Sequence, residues 1–79
     1  MDQNKFKKVI ASSLKVKISK IKMSTKIGDL EEWDSLGHLA LLTALDKVTK
    51  GKSSNINGLG TATSLKKIWD QLKKKRLVK

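Results

Sequence analysis

Apolar residues recur at helical spacing in three separate stretches of this chain, and no stretch has the partners a sheet needs. Phe6, Val9, Ile10 and Leu14 stand at i, i+3, i+4 and i+8 while Lys5, Lys7 and Lys8 fall largely elsewhere, so Asn4 to Leu14 reads as an amphipathic helix. Leu65, Ile68, Trp69 and Leu72 repeat the pattern near the C-terminus, behind Thr63 or Ser64 as N-cap. Between these two, Asp34 or Ser35 caps a middle helix that runs to about Lys50, with Gly51 as a stop of the C′ kind. Leu36, Leu39, Leu42 and Leu45 recur every third residue there. With Ala40, Leu41, Ala44 and Val48 they make the helix apolar on more than one face, which predicts it as the centre of the core.

The connections are less regular. In "KVKISKIKM" the apolar residues Val16, Ile18, Ile21 and Met23 alternate with lysine or serine as on a half-buried strand. No turn pair lies inside the segment and no second strand of similar quality exists, so a hairpin would stand alone and be marginal. The expectation is a long loop, pinned by Ile18, Ile21 and Leu30. Loops of this length in a small domain are often functional. The segment "GKSSNINGLGTAT" reads as a second connection, anchored by Ile56 and Leu59, with room for a short helical turn. The fold class that follows is all-α: a small bundle of three main helices plus a short third helix or turn, with the long loop between helices 1 and 2. Seventy-nine residues support one core, so residues 1–79 form a single domain, ending in a basic tail over about 73–79 that is expected to be frayed and solvated.

Composition narrows the function. A chain this short leaves little room for a multi-residue catalytic cleft, which favours a module that offers a surface or a single attachment point. No cysteine is present, and the lone His38 cannot form a metal site by itself. No window approaches the ~20 apolar residues of a membrane span and no signal-like run opens the chain, so a cytoplasmic protein is expected. The formal charge is +11, from 18 basic against 7 acidic side chains. That field alone would attract nucleic acid or an anionic membrane surface. Yet every basic residue except Arg76 is a lysine, whereas base reading and bidentate phosphate clamping favour arginine. The lysine excess therefore reads first as a solvated surface.

Against that charge, four of the seven acidic residues crowd into "DLEEWDSLGHLALL", as Asp29, Glu31, Glu32 and Asp34, directly before Ser35 and the most apolar segment of the chain. The run "WDSLGHLALLTALD" resembles the motif of acyl and peptidyl carrier proteins, in which the serine of Asp-Ser-Leu carries a 4′-phosphopantetheine arm at the start of the second helix. The leucine-rich helix after the serine, Asp46 after an "AL" pair, the long preceding loop and "TSLKKIWDQL" as a last helix extend the resemblance over nearly the whole chain.

The resemblance implies an acyl-carrier-protein-like bundle and a non-catalytic carrier. Ser35 would receive the arm from coenzyme A through a phosphopantetheinyl transferase, and the arm would hold an acyl or aminoacyl thioester for loading and acceptor enzymes. It implies roles in partner recognition for Asp34, Leu36, Glu31, Glu32, His38 and Asp46, with Leu36 tucked inward to orient the turn and His38 solvated or facing a partner; Glu31 and Glu32, outside the helix, read equally as docking charges or as solvated side chains. Leu42, Leu45, Ile56 and Leu59 would line a pocket for a short acyl chain, or equally pack as core. A monomer is expected.

The chain also departs from the pattern. Carriers of fatty-acid synthesis are typically acidic along helix 2, whereas Ala40, Lys47 and Lys50 leave only Asp46 of that face here. A basic client surface would meet like charge, which points to a specialised carrier, for instance in lipid or surface-polysaccharide synthesis. Gly37, costly inside a helix by ~1 kcal/mol relative to alanine, is read either as room for the arm or a partner or as a tolerated first-turn residue. Trp33 anchors the loop or the docking surface, or, as is more frequent for an isolated tryptophan, packs in the core. Two alternatives remain beside the carrier: a small basic helical nucleic-acid-binding protein, supported by charge alone, and a carrier-like interaction domain that is never modified.

Overall fold

The computed structural model describes residues 2–56 and 58–78. Three α-helices form, α1 (Gln3–Leu14), α2 (Ser35–Val48) and α3 (Leu65–Lys74), with 3-10 turns at Ile18–Lys20 and Lys52–Asn55 and no strand among the described residues. This is a small helical bundle. None of these helices is long and apolar enough to cross a membrane.

Each helix starts on a side-chain cap that meets one of its unpartnered first-turn amides. Asp2 Oδ1 accepts from Lys5 N at 2.8 Å, Asp34 Oδ1 from Gly37 N at 2.8 Å and Ser64 Oγ from Lys67 N at 3.2 Å. The helices also end alike. Lys15, Lys50 and Arg76 sit in the left-handed region at φ 59°, 55° and 57°. The amide after each reaches back five residues: Val16 to Ala11 O (3.0 Å), Gly51 to Asp46 O (2.8 Å) and Leu77 to Leu72 O (3.0 Å). These are Schellman closures in which a long basic side chain stands where glycine is usual. The expected role of Gly51 is corrected accordingly, because Lys50 takes the C′ position and Gly51 follows it.

α1 supplies Phe6, Ile10, Ala11 and Leu14 to the core, and α3 supplies Leu65, Ile68, Trp69 and Leu72. The Trp69 ring meets Phe6 edge to face, with centroids 5.1 Å apart. α2 departs from expectation: its buried side chains are His38, Leu41 and Leu45, whereas Leu36 and Leu39 are 77% and 61% exposed. The geometry explains the difference. Steps of three residues turn backward by about 60° each on a helix of 3.6 residues per turn, so four leucines at that spacing wind halfway round the axis and cannot share one face.

The loop between α1 and α2 is held mainly by backbone. Leu65 and Lys66, the first amides of α3, donate to Thr25 O (3.0 Å) and Met23 O (3.1 Å), and Ile27 N donates to Thr63 O (2.8 Å). Loop carbonyls thus satisfy helix-end amides that one serine cap cannot. Ile21 is buried and Leu30 packs on the core, as expected of pins, but Ile18 is 44% exposed and is not among the apolar side chains packed on the core. The C-terminal segment also differs from a frayed tail. Val78 is buried and Leu77 packs against the core, so the chain folds back after Arg76 while Lys73, Lys74, Lys75 and Arg76 stay exposed.

Candidate functional site

Ser35 is the first residue of α2 and is exposed. Asp34 precedes it in extended conformation, and its carboxylate closes the first turn. A hydroxyl at this position sits at the positive end of the helix dipole, where a phosphodiester anion is favoured. The carboxylates around it divide by task. Asp29 Oδ2 accepts from Lys26 N at 2.9 Å and stiffens a loop turn, and Asp34 caps the helix, whereas Glu31 and Glu32 lie exposed beside the serine.

A buried relay holds this corner in place. Trp33 Nε1 donates to His38 Nδ1 at 3.1 Å, with the two ring planes nearly parallel (18°). Indole can only donate, so Nδ1 is the acceptor and the imidazole proton lies on Nε2, which donates to Leu59 O at 3.0 Å. One side chain on α2 thereby ties the loop before Ser35 to the segment after the second 3-10 turn. His38 is buried, which corrects the expectation of a solvated or partner-facing residue. Its register with Leu41 and Leu45 at i, i+3 and i+7 was the sequence signal for burial. Trp33 is buried as well, so it is both loop anchor and core.

Gly37 has a structural reason of its own. A Cβ there would overlap the Glu32 carbonyl oxygen and stand 3.0 Å from Leu14 Cδ2. The close approach it allows is that of this chain's own loop. Leu36 likewise differs from expectation: it points outward instead of tucking in, and with Leu39, Ala40 and Thr43 it makes an exposed, uncharged strip on α2 next to Ser35.

Farther along α2 a cleft of about 360 Å³ opens between the helix and the segment after it, lined by Leu42, Thr43, Asp46, Ser53, Ile56, Leu59 and Gly60. Of the apolar residues expected to line a pocket, Leu42, Ile56 and Leu59 do so. Leu45 is fully buried in the core and is not a lining residue. Asp46, expected at a partner surface, lines the cleft, and its Oδ1 is buried without a hydrogen-bond partner among the described residues. Thr43, Ser53 and Gly60 are lining residues the sequence reading missed. Thr43 lies one turn before Asp46 and was legible from that spacing, whereas Ser53 and Gly60 arrive through the 3-10 turn and the loop after it.

These features define an all-helical module with an exposed serine at a helix start, a loop before it tied down by hydrogen bonds and buried side chains, and a small cleft beyond it. Comparison of the chain with protein-family models, curated proteins and solved structures yields no match.

Proposed function

We propose that this protein is a phosphopantetheine-dependent carrier, modified on Ser35, that passes an acyl or aminoacyl group between enzymes of a specialised biosynthetic pathway. The observation that carries the reading is the exposed Ser35 at the N-terminus of α2, behind the Asp34 cap, within an Asp-Ser-Leu sequence. The acyl-carrier-like character of the bundle belongs to the same proposal.

In the modification step, a separate transferase takes the Ser35 proton. The freed Oγ attacks the pantetheine-side phosphorus of the coenzyme A pyrophosphate, forming a phosphodiester while adenosine 3′,5′-bisphosphate leaves. Asp34 fixes the first turn, and the α2 dipole stabilises the phosphodiester anion. When attached, the arm supplies the terminal thiol that this cysteine-free chain lacks, and that thiol carries the cargo as a thioester. Glu31 and Glu32 offer negative charge to a basic rim on the transferase or a client. Leu36 and Leu39 offer apolar contact at the face where the acidic carriers of fatty-acid synthesis present carboxylates.

Incubation with coenzyme A and a broad-specificity phosphopantetheinyl transferase, followed by intact mass measurement, tests the reading. The wild type gains one phosphopantetheine and Ser35→Ala gains none. Failure of the wild type with broad and native transferases alike refutes it.

A further inference from the structure

Basic charge gathers at the end of the bundle away from Ser35. Lys5 and Lys8 of α1 and Lys47 of α2 line a groove of about 360 Å³ together with Val9, Ala44 and Val48. Val48 also borders a second hollow, of about 310 Å³, with Lys50, Lys52 and Arg76. The two hollows therefore make one surface, in which six exposed basic side chains surround a valine that is 43% exposed. Among the described residues no carboxylate lines either hollow. Asp29, Glu31, Glu32 and Asp34 lie instead before Ser35, at the start of α2.

Three of the six basic residues stand where the fold itself disfavours them. Lys5 is in the first turn of α1, at the positive end of the helix dipole. Lys50 and Arg76 occupy left-handed positions that glycine fills with less strain. Residues that break a local rule are expected where function gains from them. The surface lacks what a grip on nucleic acid uses, since it has one arginine and no aromatic side chain in either hollow. An exposed valine gains nothing from a phosphate backbone, whereas the interfacial layer of a bilayer takes up apolar side chains set among lysines. α1, α2 and the C-terminal closure all contribute charge. It spreads over an area, which matches a plane of headgroups better than one acidic helix lying along a groove.

We infer that this end of the bundle docks on an anionic membrane surface, with the six basic side chains against the headgroups and Val48 in the interfacial layer. Ser35 lies about 18 Å along α2 from Lys47, at 1.5 Å per residue, so it and the carboxylates before it face away from the lipid. That distance is more than twice the Debye length of about 8 Å at physiological salt, and the acidic end does not oppose docking. The inference holds whether or not Ser35 is modified.

Cosedimentation of the full chain tests it, with vesicles of phosphatidylcholine alone and of phosphatidylcholine with about one third phosphatidylglycerol. Binding is expected to the anionic vesicles only, and to weaken as salt rises. Each lysine near an anionic surface contributes about fivefold in affinity, so Lys5→Gln, Lys8→Gln and Lys47→Gln combined should lose about a hundredfold. Lys17→Gln, Lys20→Gln and Lys22→Gln combined remove the same charge from exposed positions in the loop after α1, and should lose less than about fivefold. A second pair separates location from folding. Lys15→Gly and Lys50→Gly each remove one charge and one left-handed side chain, at opposite ends of the antiparallel α1–α2 pair. Both should be at least as stable as wild type, but only Lys50→Gly should bind about fivefold more weakly.

Equal losses for the two triple variants, or for the two glycine variants, would reduce the effect to net charge and overturn the inference. Absence of binding to the anionic vesicles would overturn it as well. So would a random-sequence DNA duplex or an acidic helical peptide that binds through Lys5, Lys8 and Lys47 more tightly than the vesicles do.

Discussion

Replacing His38 by phenylalanine should cost this small domain a large share of its stability, although both side chains are planar and of similar size. The imidazole accepts from Trp33 Nε1 and donates to Leu59 O, and all three residues are buried. Phenylalanine leaves one N–H and one C=O unpaired where water does not reach. Each unmet group costs about 1–3 kcal/mol. Together, and partly offset by the more apolar ring, the loss is about 2–5 kcal/mol, against a total of roughly 4–12 kcal/mol for a chain of this length. The midpoint of thermal unfolding, followed by circular dichroism, should fall by at least about 10 °C, since 1 kcal/mol shifts a domain of this size by about 4–8 °C. His38→Gln should fall between, because its amide nitrogen can reach Leu59 O while the Trp33 bond is lost. The Trp33 indole proton should exchange faster with solvent in both variants. A His38→Phe protein as stable as wild type, with an indole proton equally protected, would show that the relay does not hold the corner.

Other substitutions probe separate parts of the account. Gly37→Ala gains about 1 kcal/mol of helix propensity but forces the Glu32 carbonyl and Leu14 aside. A net loss of about 1–2 kcal/mol is expected in a urea titration, and a gain would contradict the packing argument. Lys50→Gly removes a side chain from the left-handed region at φ 55° and should raise the unfolding midpoint by about 4–8 °C, the equivalent of about 1 kcal/mol. Asp34→Ala deletes the α2 cap and should lower stability by about 1 kcal/mol, measured the same way. Leu36→Ala should leave stability within about 0.5 kcal/mol of wild type, because the side chain is exposed, yet lower the specificity constant for transferase modification about tenfold. An unchanged constant would remove Leu36 from the docking surface.

The two outer helices were legible because their apolar positions obey one period: Leu65, Ile68, Trp69 and Leu72 are all buried as spaced, as are Phe6, Ile10 and Leu14. α2 misled because the count of leucines outweighed their phase. With apolar residues nearly all round, composition cannot say which stripe faces inward, and the decision falls to what packs against it. Here Trp33 and Leu59 O select His38, two contacts contributed by loops that periodicity does not describe. The long loop was recognised as a loop, but its attachment to the start of α3 runs through backbone amides and carbonyls that carry no side-chain signal. The left-handed lysines at the helix ends were hidden for a related reason, since glycine is the usual marker and Gly51 stands one residue too late. At the candidate site, Ser35 and the Asp34 cap were readable from three adjacent residues. The cleft was readable only in part, because Leu42 and Asp46 share a helix with their neighbours whereas Ser53 and Gly60 reach it through the chain's path.

The most direct test of the carrier reading is the intact mass of the protein recovered from the cells that make it, before and after treatment with hydroxylamine. A population bearing one phosphopantetheine on Ser35 is expected, with a further increment that hydroxylamine removes, and neither in Ser35→Ala expressed in the same cells. A protein that carries nothing on Ser35 in cells containing an active phosphopantetheinyl transferase would contradict it.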